Sequence, residues 1–171
     1  MSKPQIPQPE NFDEKEVYAF YGRCAFYAQV LEQGLTNLTT ILHTRGLTRV
    51  TREALEKAFD RLEFFTCGRL IADVRKKIDV SPAIEANLKE ALKNRNYLTH
   101  RFFSSHDINF ACHSGRKIMI EELREMTTRF QQVDDAVEAI NLPLWEKIGI
   151  TQERIEAEIQ KMNSEARSRD I

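Results

Sequence analysis

The sequence has few of the residues that break helices. Six glycines and five prolines occur among 171 residues, and Pro4, Pro7 and Pro9 all fall in the first ten. Strand-like alternation of apolar and polar residues is missing, and so is any internal repeat, which excludes a β-rich or repeat fold. No apolar run approaches the ~20 residues that cross a bilayer. The opening Met-Ser-Lys-Pro-Gln-Ile-Pro-Gln-Pro lacks the apolar core of a signal peptide. A cytoplasmic protein without a membrane partner is therefore expected. Cysteine is scarce and odd in number: Cys24, Cys67 and Cys112 form neither a disulfide framework nor a CxxC pattern. They read as small buried apolar residues. A glycine-rich phosphate loop, a nucleophile elbow and paired carboxylates are all missing, which argues against a nucleotide or serine hydrolase. His100, His106, Cys112 and His113 have the right chemistry for zinc but match no compact metal spacing. No metal and no cofactor are expected.

Hydrophobic residues make up 42% of the chain and charged residues 30%, the balance of a globular domain. The length suits one domain with its own core. Net charge is −1, unevenly spread. Residues 43–117 carry 15 basic and 9 acidic groups, whereas residues 118–171 carry 7 basic and 12 acidic. The middle segment can present a positive face to a phosphate backbone. The whole-chain pI near 6.4 favours instead a solvated mixed surface.

Periodicity predicts an all-α chain. Residues 1–11 read as a disordered or extended lead, because proline blocks helix there. A first helix is expected from Asp13 to His43, with Tyr18, Tyr21, Ala25, Ala28, Leu31, Leu35, Leu38 and Leu42 on one face. Gly22 and Gly34 weaken it or permit close packing, and Gly46 ends the next turn. A second helix starts at the N-cap Thr51 and runs to Arg75-Lys76-Lys77. A third opens at Ser81-Pro82 and continues to Ser105. After a loop of about eight residues, a fourth runs from Ser114 to Ile140 and stops at Pro143. Thr151 caps a charged last helix with a narrow Ile155/Ile159/Met162 stripe, either solvated or docked on a partner subunit. Trp145 is expected to anchor this tail. The expected fold is a four-helix up-and-down bundle over 12–142 with an additional C-terminal helix over 143–171.

The third helix carries the chemistry. Its apolar stripe is Ile84, Leu88, Ala91, position 95, Leu98 and Phe102, and position 95 is arginine. Position 96, on the flanking row, is asparagine. A cation within a core-facing stripe must find a counter-charge, water or a ligand. His100 follows Asn96 by one helical turn and projects on nearly the same side, whereas Arg95 and His100 lie about 140° apart. The plainer alternative for Arg95 is a salt bridge to Asp60, Glu63 or Glu122, and for His100 a surface position beside Tyr97. Tyr18, Tyr21 and Tyr27 are candidates for stacking on bases, or for the core or a dimer interface.

Arg95-Asn96-Tyr97-Leu98-Thr99-His100, on the third helix of a helical bundle, resembles the R-x4-6-H signature of the HEPN superfamily. The aromatic pair Phe102-Phe103 is similar to that of members near abortive-infection proteins. A second match, Arg101-x4-His106, lies off the apolar stripe and lacks the asparagine. The resemblance covers residues 12–142. It implies a homodimeric, metal-independent RNA endonuclease, of toxin or phage-defence type, restrained by an antitoxin or other regulatory protein. His100 would act as general base or acid on the RNA 2′-OH, as imidazole with its ordinary pKa of about 6.5 is suited to do. Arg95 would bind the scissile phosphate, and Asn96 would position one of them. Tyr97, Arg101 and His106 would bind substrate around them. Some members are non-catalytic, so the alternative is a helical module that binds a partner protein or nucleotide.

Overall fold

The computed structural model describes residues 5–45 and 50–168. Those residues form helices with no strand among them: α1 (Glu14–His43), α2 (Arg52–Leu62), α3 (Cys67–Lys77), α4 (Pro82–His100), α5 (Phe102–Ser105), α6 (Asp107–Phe110), α7 (His113–Glu146) and α8 (Gln152–Arg167). Gly46 lies outside the described residues.

Capping residues set most of the starts. Asp13 accepts from the Glu16 N–H at 2.9 Å. Glu16 in turn accepts from the N–H groups of Glu10, Asn11 and Phe12 at 2.7, 3.0 and 2.5 Å. This is a capping box extended backwards into the lead. Thr51, Ser81 and Thr151 cap α2, α4 and α8 as expected, and Pro82 occupies the first turn of α4. The lead is also held by its Gln5 carbonyl, which accepts from Arg23, and by Gln8, which accepts from Arg124.

The expected second helix is two helices. Leu62 and Ile71 are both buried, yet nine residues apart on one straight helix they would point to opposite sides. A break over 63–66 lets both face the core, and Thr66 caps α3 by accepting from the Arg69 N–H. The expected third helix stops at His100, because Arg101 leaves helical geometry (φ −134°, ψ −18°). The short helices α5 and α6 replace the end of that helix and the loop after it. The fourth helix does not stop at Pro143 but passes through it to Glu146. Pro143 and Ala139 are both exposed, so the carbonyl that loses its N–H partner faces water. Leu144 and Trp145 pack on the core beyond it, and Trp145 Nε1 donates to Asn141 at 2.7 Å.

The buried face of α1 also differs in its first half. Val17, Phe20, Cys24 and Tyr27 are buried rather than Tyr18, Tyr21 and Ala25. Tyr18 is exposed, and Tyr21 is half-buried with its hydroxyl donating to the Leu98 carbonyl at 3.2 Å.

α1 and α7 share the most extensive interface and run parallel. The Phe12 carbonyl accepts from Arg116 at 2.8 Å at one end. Gly34 approaches Asp134 midway, and Ile41 and Thr44 face Leu144 and Ile148 at the other end. The parallel course follows from the split second helix, since α2 and α3 reverse the chain once more than a single helix would. α4 runs antiparallel to both, with Tyr21 donating to the Leu98 carbonyl and Arg129 paired to Glu90. The core lies between these helices, lined by Leu35, Leu38, Leu70, Leu88, Phe102, Met119, Leu123 and Phe130. α8 buries no residue.

Candidate functional site

Leu88, Ala91 and Leu98 of α4 are buried as the period requires, and Phe102, beyond the break at Arg101, is buried from α5. Arg95 sits in line with them but is only half-buried, its side chain 31% exposed. Its guanidinium is drawn to Glu32 on α1, Nη2 to Oε2 3.6 Å, and donates a long bond to Asn96 Oδ1 at 3.5 Å. The counter-charge is therefore Glu32, not Asp60, Glu63 or Glu122. Its geometry is loose, longer than the 2.7–2.9 Å of a well-formed charge-assisted bond.

Asn96, Thr99, His100 and Arg101 are exposed. Thr99 returns its hydroxyl to the Arg95 carbonyl at 2.9 Å. The His100 imidazole makes no hydrogen bond or ion pair among the described residues. It stands at the C-terminal end of α4. Asn96 and His100 share one edge, and Arg95 reaches that edge from the side. The side chains of Arg95 and His100 do not touch.

His106 lies elsewhere. It is 7% exposed, and both ring nitrogens are engaged. Nε2 is 2.7 Å from Glu122 Oε2 and 3.3 Å from the Tyr97 hydroxyl, and Nδ1 is 2.9 Å from Asn109 Nδ2. With the Asn109 amide donating, Nε2 carries the proton and gives it to Glu122. Burial, with the Glu122 carboxylate beside it, pushes the Tyr97 phenol above its ordinary range. Thus Tyr97 and His106 are held inside a network that joins α4 to α7. Asn96, His100 and Arg101 stay in solvent.

Compared with family models, curated proteins and solved structures, the chain matches none.

The neighbours of this edge are aromatic. Tyr21 packs on Phe103 with ring centroids 4.9 Å apart, and Tyr18 contacts Phe103 and Phe110 at 5.9 and 5.6 Å. Tyr18 is exposed, whereas Tyr27 is buried. Glu32 is not signalled by the sequence, and Glu122, a candidate partner for Arg95, meets His106 instead. Both lie on helices remote in sequence from α4, so only the packing of α1 and α7 reveals which carboxylate meets which cation. Among the described residues no group of three or more His, Cys, Asp or Glu could hold a metal ion, and none of the helices they form is long and apolar enough to cross a membrane.

Proposed function

We propose that this chain is a metal-independent RNA endonuclease of HEPN type, acting as a two-fold dimer. One observation carries this reading. Arg95, Asn96 and His100 lie on one rigid helix, with the imidazole and amide open to solvent and the guanidinium only loosely paired to Glu32.

In this reading an RNA phosphate replaces Glu32 as the partner of Arg95, because a phosphate offers two oxygens to the guanidinium fork. His100 takes the proton from a 2′-OH. The 2′-oxygen attacks the adjacent phosphorus, and the bond to the 5′-oxygen breaks. The leaving oxygen takes a proton from the same histidine of a second copy. A 2′,3′-cyclic phosphate and a free 5′-OH result, and DNA, lacking the 2′-OH, is not cut. Asn96 orients the Arg95 fork through its side-chain oxygen.

The Arg95–Glu32 pair favours a second reading, a non-catalytic helical module in which Arg95 only ties α4 to α1. Cleavage of total RNA in EDTA separates the two, with wild type beside His100→Ala, Arg95→Ala and Glu32→Gln and folding followed by circular dichroism. The nuclease reading expects cleavage by wild type, none by the first two folded variants, and retained cleavage by Glu32→Gln. No cleavage by wild type at high concentration supports the module, and cleavage surviving both His100→Ala and Arg95→Ala moves the site elsewhere.

A further inference from the structure

The last turns of α7 and the first turns of α8 enclose a groove outside the α4 site. Leu142, Ile155 and Ile159 line its floor, and Asp135, Glu138 and Glu156 stand around them. No basic side chain is in the lining. Glu138 makes no hydrogen bond or ion pair among the described residues. Glu156 accepts from the neutral Gln152 amide at 2.9 Å rather than from a cation.

The apolar floor continues along α8. Ile155, Ile159 and Met162, spaced four and three residues apart, stay 38%, 37% and 53% exposed. At 100° per residue Glu156, Glu158 and Glu165 lie nearer this stripe than Arg154, Lys161 and Arg167 do. Arg154 turns back to the Gly149 carbonyl at 2.5 Å. The stripe is thus flanked by carboxylates, of which Glu158 is paired at 4.0 Å with Lys161, within a segment that carries 12 acidic and 7 basic residues over 118–171.

We infer that this groove and stripe dock a basic amphipathic helix of another protein. Its aliphatic side chains would fill the floor and its lysines or arginines would meet the rim. The charge pattern selects this occupant. A second copy docked through the same stripe would set its own carboxylates against Glu156 and Glu158, and like charges across an interface are costly. Nucleic acid and anionic lipid are repelled by the same rim. The inference is independent of the nuclease reading.

The test is fluorescence anisotropy of the full chain with a labelled model peptide that places leucine at helical spacing and lysine elsewhere. Its counterpart has glutamate for lysine. Ile159→Asp removes the floor, and Glu138→Lys with Glu156→Lys reverses the rim; circular dichroism checks that α8 stays helical. The expected result is saturable binding of the lysine peptide to wild type, weakened about tenfold or more by either change and by added salt. The glutamate peptide should not bind. No binding by wild type, equal binding of both peptides, or binding unchanged in both variants overturns the inference. So does sedimentation showing a wild-type dimer that Ile159→Asp makes monomeric, because a second copy would then own this face.

Discussion

His106 is only 7% exposed, and its nitrogens are served by Asn109, by Glu122 and, at the longer 3.3 Å, by the Tyr97 hydroxyl. Removing Glu122 leaves Nε2 with the weaker Tyr97 contact alone, at about 1–3 kcal/mol. Glu122→Ala should therefore lower unfolding stability by about 2 kcal/mol, read from urea midpoints, and Glu122→Gln, which keeps an acceptor, by less. The cysteines give a second check at this scale. Burial raises the Cys24 thiol to about 12 and the Cys67 thiol to about 11. The exposed Cys112 is lowered, first by the Ser114 hydroxyl and then by the Gly115 N–H. Since the thiolate is what reacts, iodoacetamide at neutral pH should label Cys112 alone in the folded protein and all three after denaturation, counted by mass spectrometry. At this scale the sequence made Arg95 conspicuous because a cation interrupts an apolar period. It could not name Glu32, since that pairing joins residues 63 apart. The burial of Cys24 and Cys67 matches the reading of the cysteines as small apolar residues, and Cys112 departs from it because it caps α7 at the surface.

Helices show the same division between local and distant causes. Thr51, Ser81 and Thr151 were legible as caps because a cap is a local pattern, whereas Asp13, expected as the first helical residue, proves to be the cap of α1. The break at 63–66 contains no glycine or proline and became visible only through what Leu62 and Ile71 must both reach. Two glycines of α1 separate local from tertiary effects. A Cβ at Gly22 meets nothing within 4 Å, whereas one at Gly34 would stand 2.8 Å from Asp134 Oδ1. Gly22→Ala should stabilise by about 0.5–1 kcal/mol through helix propensity, and Gly34→Ala should destabilise by about 1–3 kcal/mol through overpacking against α7. Thermal melts of the two variants check both signs. At the start of the same helix, the Glu10 N–H and then the Asn11, Phe12 and Asp13 backbone hold the half-buried Glu16 carboxyl below its ordinary 4.5. A depressed folded-state pKa means that its contribution is present above that ordinary value and is lost as pH falls through the lower folded value. Amide exchange at residues 10–12, corrected for intrinsic rates, should therefore quicken on acidification below about pH 4.5, and Glu16→Gln should show much of that loss at neutral pH.

For the whole molecule, composition and period established an all-α bundle with an extra C-terminal helix, while direction of travel was not readable, because it hinged on the unseen break between α2 and α3. α8 buries no residue. A chain ending at residue 150 should therefore keep its unfolding free energy, from urea titration, within about 0.5 kcal/mol of the full chain, and a larger loss would show α8 to be part of the folding unit. The parallel seam between α1 and α7 has a consequence for synthesis. α1 is complete at His43, but its main partner ends at Glu146. At about 5–20 residues per second, α1 leaves the ribosome roughly 5–20 s before α7 is finished. During that interval Leu31, Leu35 and Leu38 have no α7 to cover them, so this apolar face stays open to other contacts until α7 is made. The molecule closes only when its first and last core helices meet.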